Sequence, residues 1–133
     1  MIALGRQPYT NWIGKLDRED KEAVQKAIEL VNINELANRK CYELSDGQFQ
    51  KVLIARAIAQ DTSLIILDEP TTHLDIYHKA FMLKLLKQLT EKTGKAIIFA
   101  THEINLAIQL CDKLIILKDG KSFTGTPKEL MAS

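Results

Sequence analysis

Apolar residues follow two rhythms along this chain, and the rhythms alternate. Ala23, Val24, Ala27, Ile28 and Val31 recur at helical spacing behind an acidic opening of Asp17, Glu19 and Asp20, which predicts an amphipathic helix over 18–31. Before it, Gly5, Pro8, Asn11, Trp12 and Gly14 break any periodicity, so residues 1–16 read as a short helix end and then an irregular loop. A turn around 34–39 leads to a second helix at about 46–60 through Val52, Leu53, Ala55, Ile58 and Ala59. Leu64–Leu67 is an unbroken aliphatic run ending in Asp68, the pattern of a strand buried on both faces. A third helix over 76–92 places Phe81, Leu85, Leu86 and Leu89 on one face, with Gly94 as its C-cap. Ala96–Ala100 reads as a second buried strand, 103–110 as a short helix and Leu114–Leu117 as a third strand. Asp119 and Gly120 form a two-residue hairpin signal with 121–124 returning, and a last helix follows Pro127. Helix and strand alternate without repeats or linkers, which predicts an α/β fold with a mostly parallel sheet.

Composition narrows this little further. The 133 residues suffice for one domain, and 46% apolar with 26% charged residues is ordinary for a globular chain. A net charge of +1 gives no footprint for nucleic acid, so no nucleic-acid partner is expected. The longest aliphatic and aromatic runs are far too short to cross a bilayer, and no basic stretch with an apolar core opens the chain as a signal peptide would. Cys41 and Cys111 lie far apart with no CxxC and read as two buried thiols of a reducing compartment.

Three blocks carry the chemistry. Ser45, Asp46, Gly47 and Gln48 open the second helix, and Ser45 with Gln48 has the S-x-x-Q spacing of a capping box. A hydroxyl and a glycine at a helix N-terminus also suit a phosphate, and the turn alone does not decide between the two. In the second block, Asp68 and Glu69 stand at the carboxyl end of a strand, where open α/β sheets bind ligands. There Asp68 would face a hard cation such as Mg²⁺, and Glu69 could act as base toward a water. The alternative is a plain turn before the next helix; the further Thr72–Asp75 element argues against it. The third block ends the second strand with Thr101, His102 and Glu103. His102 could donate to a phosphate oxygen or hold a water, or serve structure alone; with Leu106 in place of a second histidine it is not part of a zinc-protease motif. His73 and His78 read as surface residues.

In this order the blocks resemble the ATP-binding cassette (ABC) ATPases along essentially the whole chain. Leu44–Gln48 resembles the signature motif, Leu64–Asp68 the Walker B strand, Glu69 the catalytic glutamate, Thr72–Asp75 the D-loop and His102 the switch histidine. The opening Leu4–Tyr9, followed by Trp12, is most similar to ATPases of importers for iron-siderophores, haem and cobalamin. The resemblance implies that Ser45, Asp46, Gly47 and Gln48 meet the γ-phosphate of ATP held mainly by a second ATP-binding subunit. It implies that Asp68 holds Mg²⁺ through water, that Glu69 polarises the attacking water, that His102 senses the γ-phosphate and that Asp75 couples two sites. Asp46 departs from the glycine most common there. The implied partners are transmembrane permease subunits, and the implied location is the cytoplasmic face of the cell membrane.

One element of that family is missing from these residues. Gly-Lys occurs at 14–15, 94–95 and 120–121; only Lys121 precedes a serine, and the glycine that a G-x-x-x-x-G-K-S/T loop requires is Ile115 instead. The chain therefore reads as a C-terminal fragment: a partial P-loop NTPase (RecA-like) core with part of the helical subdomain, divided as 1–62 and 63–133. By itself it is expected to bind no ATP productively and to close its incomplete sheet as a homo-oligomer; the resemblance implies that the strand at 64–68 pairs with that at 96–100. Two other readings were half of a split ATPase head from a DNA-repair or chromosome protein, and a non-catalytic regulatory remnant. The first would want heptads and a basic surface that are not here, and the second has no need of Glu69 and His102.

Overall fold

The computed structural model describes residues 1–132. Its elements follow the sequence rhythm closely: α1 (Arg18–Val31), α2 (Asp46–Ala59), β1 (Leu64–Asp68), α3 (Ile76–Thr93), β2 (Ala96–Ala100), α4 (Ile104–Leu110), β3 (Leu114–Lys118), β4 (Lys121–Gly125) and α5 (Pro127–Ala132). Short 3-10 helices occupy Asn34–Leu36 and Cys41–Glu43. Asp17 caps α1 through a reciprocal box with Asp20, and Gly94, in the left-handed region, ends α3 as expected.

The two parallel strands β1 and β2 pair in register, Leu64 opposite Ala96 through Asp68 opposite Ala100. β3 and β4 form a separate antiparallel hairpin. The fold is thus mixed α/β with a small parallel sheet, and β1 pairs with β2 as the family resemblance implied.

The core lies between α1, α2, α3 and one face of β1. Ala27, Ile54, Ala55, Met82 and Leu86 are fully buried, and Ile65 joins them from the sheet. Alternation along the strands decides the rest, because neighbouring side chains point to opposite faces. Ile65 and Leu67 face inward with Ile97 and Phe99, whereas Ile66 and Ile98 are 71% and 51% exposed. The expectation of strands buried on both faces is therefore corrected: β1 and β2 are covered on one face only. The hairpin is more open still, with Leu117 80% exposed.

Other expectations change as well. Phe81 is not on the buried face of α3; it is exposed under the Lys51 ammonium, 4.3 Å from its ring centroid, and Met82 takes the inward place. Cys41 is exposed and Cys111 half-buried, so neither thiol is a core residue. The N-terminal segment agrees with its reading as a short helix end and then a loop: a 3-10 helix spans Ile2–Tyr9 and no regular element follows until α1.

Arg6 explains that segment. Its guanidinium is buried, donating from Nε to Asp20 Oδ1 at 2.8 Å and from a terminal nitrogen to the Ala59 carbonyl at 3.2 Å, while the Tyr9 ring lies 4.0 Å away. A buried charge is tolerated only when paired and hydrogen-bonded, and here one cation joins the N-terminus, α1 and the end of α2. The Arg6 guanidinium, with the Asp17 backbone N–H, holds the Asp20 carboxyl below its ordinary range. Gly5 beside it lies so close to α2 that a Cβ would collide with the Arg56 carbonyl.

Candidate functional site

The carboxyl ends of β1 and β2 bring two of the three blocks together. Asp68 is exposed at the strand end, and among the described residues no side chain or backbone donor reaches its carboxylate. Glu69 continues the ladder by one bond, its N–H donating to the Ala100 carbonyl at 3.0 Å, and then turns the chain with a left-handed φ of 45°. That conformation is unfavourable for a residue with a Cβ and is sustained by the contacts around it. Oε1 of Glu69 lies 3.0 Å from His102 Nδ1, and Oε2 accepts a long bond of 3.4 Å from the Thr72 hydroxyl. Glu69 and His102 thus form one pair, an arrangement that neither residue announces singly.

A second layer of contacts holds the two loops. The buried Thr71 hydroxyl donates to Glu103 Oε1 at 3.1 Å, and Lys79 of α3 reaches the same oxygen at 2.9 Å. The Lys79 ammonium, followed by the Thr71 hydroxyl, holds the Glu103 carboxyl below its usual range. Thr71, Lys79 and Glu103 were missed from sequence; the signal available was the adjacency of Glu103 to His102 and of Thr71 to Pro70.

His102 itself is raised above its ordinary pKa of 6.5, chiefly by the hydrogen bond to Glu69 and then by the charges of Glu69 and Glu103, against an opposing charge on Lys79. A raised folded-state value means that the pairing contributes fully below pH 6.5 and fades as pH climbs through the folded pKa. NMR titration of the His102 ring is expected to give a midpoint above 6.5, and Glu69→Gln should bring it back toward 6.5. An unchanged midpoint in that variant would dissolve the pair.

The Ser45–Gln48 turn lies apart, joined to Glu69 and His102 by no hydrogen bond or ion pair among the described residues. Its capping box is complete: Ser45 Oγ accepts from the Gln48 N–H at 3.2 Å, and Gln48 Oε1 accepts from the Ser45 N–H at 3.0 Å. The hydroxyl is exposed and uses only acceptor capacity in the cap, so its proton remains available to a ligand. Both readings of the turn are therefore compatible. Asp46 is exposed in the first turn of α2, where a carboxylate complements the helix dipole. Asp75 caps α3 and holds His78 twice, through the His78 N–H at 2.9 Å and the ring Nδ1 at 2.8 Å, and these bonds keep its carboxyl below the ordinary range. His73 is exposed with a left-handed φ of 66°.

The donor chemistry near Asp68 suits a hard cation with few protein ligands. Among the described residues no group of three His, Cys, Asp or Glu could hold a metal by itself. One free carboxylate fits Mg²⁺, which keeps several waters and takes its other oxygens from phosphates.

The chain is similar to known proteins. The ABC transporter family profile matches residues 4–72, which include the Ser45–Gln48 turn, Asp68 and Glu69. The chain belongs to the ABC transporter family. It is 41% identical over 132 residues to the petrobactin import ATP-binding protein FpuC of Bacillus anthracis, covering 98% of this chain and 48% of that protein. It is 38% identical to the ferric enterobactin transport ATP-binding protein FepC of Escherichia coli strain K12, covering 100% and 49%. An ABC transporter solved in an inward-facing conformation superposes with a TM-score of 0.92 at 32% identity, over 98% of this chain and 52% of the other. The chain spans about half the length of the curated relatives it matches.

Proposed function

We propose that this chain carries the hydrolytic half of an ABC importer ATPase that works on iron-siderophore uptake. The observation that carries this reading is the pairing of Glu69 with His102 beside the free carboxylate of Asp68 at one end of the parallel strands. The names of the relatives, petrobactin import and ferric enterobactin transport proteins among them, support the transport of siderophores. Residues 1–62 supply the Ser45–Gln48 turn and residues 63–133 the Asp68, Glu69 and His102 cluster.

Each group has a chemical task in this reading. Asp68 would hold Mg²⁺, which when bound would supply positive charge against the phosphates of ATP. Glu69 takes a proton from the attacking water at Oε2, the oxygen that carries only the long Thr72 contact. His102 keeps Oε1 in place by donating from Nδ1, and in its protonated form Nε2 of the exposed ring is a second donor, aimed at the γ-phosphate in this reading. Ser45, Gly47 and Gln48 offer a hydroxyl and backbone N–H groups to ATP held by a second ATP-binding subunit, with Asp46 at the rim and Asp75 coupling the two sites. The whole protein works at the cytoplasmic face of the membrane on permease subunits. Among the described residues no helix is long and apolar enough to cross a membrane.

In this reading the main phosphate cradle is not among residues 1–133, which contain no G-x-x-x-x-G-K-S/T loop. Calorimetry with Mg-ATP tests the division of labour. The 133-residue chain is expected to bind no tighter than about 1 mM, and the whole protein at micromolar concentrations. Micromolar binding by the chain alone would overturn the division, and failure of the whole protein to bind would overturn the ATPase reading.

A further inference from the structure

Gly47 sits in the first turn of an α-helix, where alanine is the better helix former, and its φ is not in the left-handed region. No backbone demand therefore accounts for a glycine here. Its neighbour does. A Cβ at position 47 would stand 3.1 Å from Cδ2 of the His78 ring and 3.8 Å from its Nε2, so the ring would have to yield by a few tenths of an ångström to admit one.

His78 cannot easily withdraw. Asp75 engages it with both carboxylate oxygens, Oδ1 accepting from the His78 backbone N–H at 2.9 Å and Oδ2 lying 2.8 Å from ring Nδ1. The Tyr77 ring meets it edge-on, 5.7 Å between centroids at 89°. Further along the same two helices Lys51 of α2 lies over Phe81 of α3, so the Gly47 and His78 contact has a companion on the exposed side of the α2 and α3 pair.

We propose that His78 is a positioning residue: it is the spacer through which Asp75 holds the Ser45–Gln48 turn in place. The consequence for phosphate contact rests on the ATPase reading above, but the spacer itself does not. One ring performs two tasks at opposite edges, a polar one toward Asp75 and a packing one toward Gly47. A displacement of Asp75 is thereby passed to the backbone that offers N–H groups at the start of α2. Asparagine at 78 retains a polar group for Asp75 and lacks the ring; phenylalanine retains the ring and lacks the polar group.

The test is amide hydrogen exchange by NMR on the 133-residue chain without nucleotide, so that it stands apart from any failure of the ATPase reading. His78→Ala is expected to speed exchange at the Gln48 and Phe49 amides on the order of tenfold while α1 amides keep their wild-type rates. His78→Asn and His78→Phe should each give part of that effect, and they carry the comparison if the alanine variant loses α1 protection as well. Gly47→Ala should speed exchange at the same amides in the wild-type background, but slow it when added to His78→Ala, because the ring no longer claims the space. The ring ¹⁵N shifts should show Nδ1 engaged in the wild type and altered by Asp75→Asn. Equal exchange in wild type and all three His78 variants, or the same effect of Gly47→Ala in both backgrounds, would overturn the proposal.

Discussion

Glu69→Gln in the whole protein is expected to abolish steady-state ATP hydrolysis while leaving Mg-ATP binding and nucleotide-driven dimerisation in place. The amide is nearly isosteric, and its oxygen can still accept from His102 Nδ1, so the loop after β1 keeps its geometry. What disappears is the basic oxygen that receives the proton of the attacking water. A positioned base of this kind contributes about 10²–10⁴-fold to a rate. Asp68 and the Ser45–Gln48 turn are untouched, so binding has no reason to fall. Phosphate release and light scattering with and without nucleotide read the two effects separately. Turnover at the wild-type rate would remove Glu69 from the mechanism.

The second large effect concerns the 133-residue chain by itself, which is expected to self-associate through β2. That strand pairs with β1 along one edge, and among the described residues no strand covers the other, since β3 pairs with β4 alone. The edge sequence Ala96–Ala100 contains no charge or proline, the usual protections of an exposed strand. Each backbone group left without a partner and away from water costs about 1–3 kcal/mol, and a second copy can satisfy several at once. The uncovered face adds apolar area around Ile66 and Ile98. Light scattering should report a dimer or larger species. Ile98→Lys, on the open face and away from the core, should shift it toward monomer. A monomer at high concentration in the unmodified chain would defeat this expectation.

Element order was legible because the three long helices each carry their own period and cap: Asp17, Ser45 and Asp75 all cap where the pattern begins. Strand burial was not, for a reason specific to aliphatic runs. Leu64–Leu67 has no polar residue on either face, so the sequence cannot say that only Ile65 and Leu67 are turned inward. The role of Arg6 was equally hidden, since its burial depends on Asp20 and Ala59, distant in sequence and brought together only by packing. The candidate site was half legible. Asp68, Glu69 and His102 stood out by type and position, and the parallel register of Asp68 with Ala100 sets both loops at one sheet end. The Glu103 contacts to Thr71 and Lys79 required the third dimension. Gly47 was read for a phosphate, and the His78 ring that lies against it was not legible from the sequence.

Arg6 grips the carbonyl at one end of α2, and the Ser45–Gln48 turn is at the other. Fourteen residues at about 1.5 Å each make α2 a rigid arm of roughly 21 Å with its fulcrum at that buried guanidinium. Simple trigonometry then gives the turn a travel of about 1 Å for every 3° of tilt, enough to make or break a hydrogen bond. The same cation anchors α1 through Asp20, so such a tilt would carry the N-terminal helices as ballast rather than bend the arm.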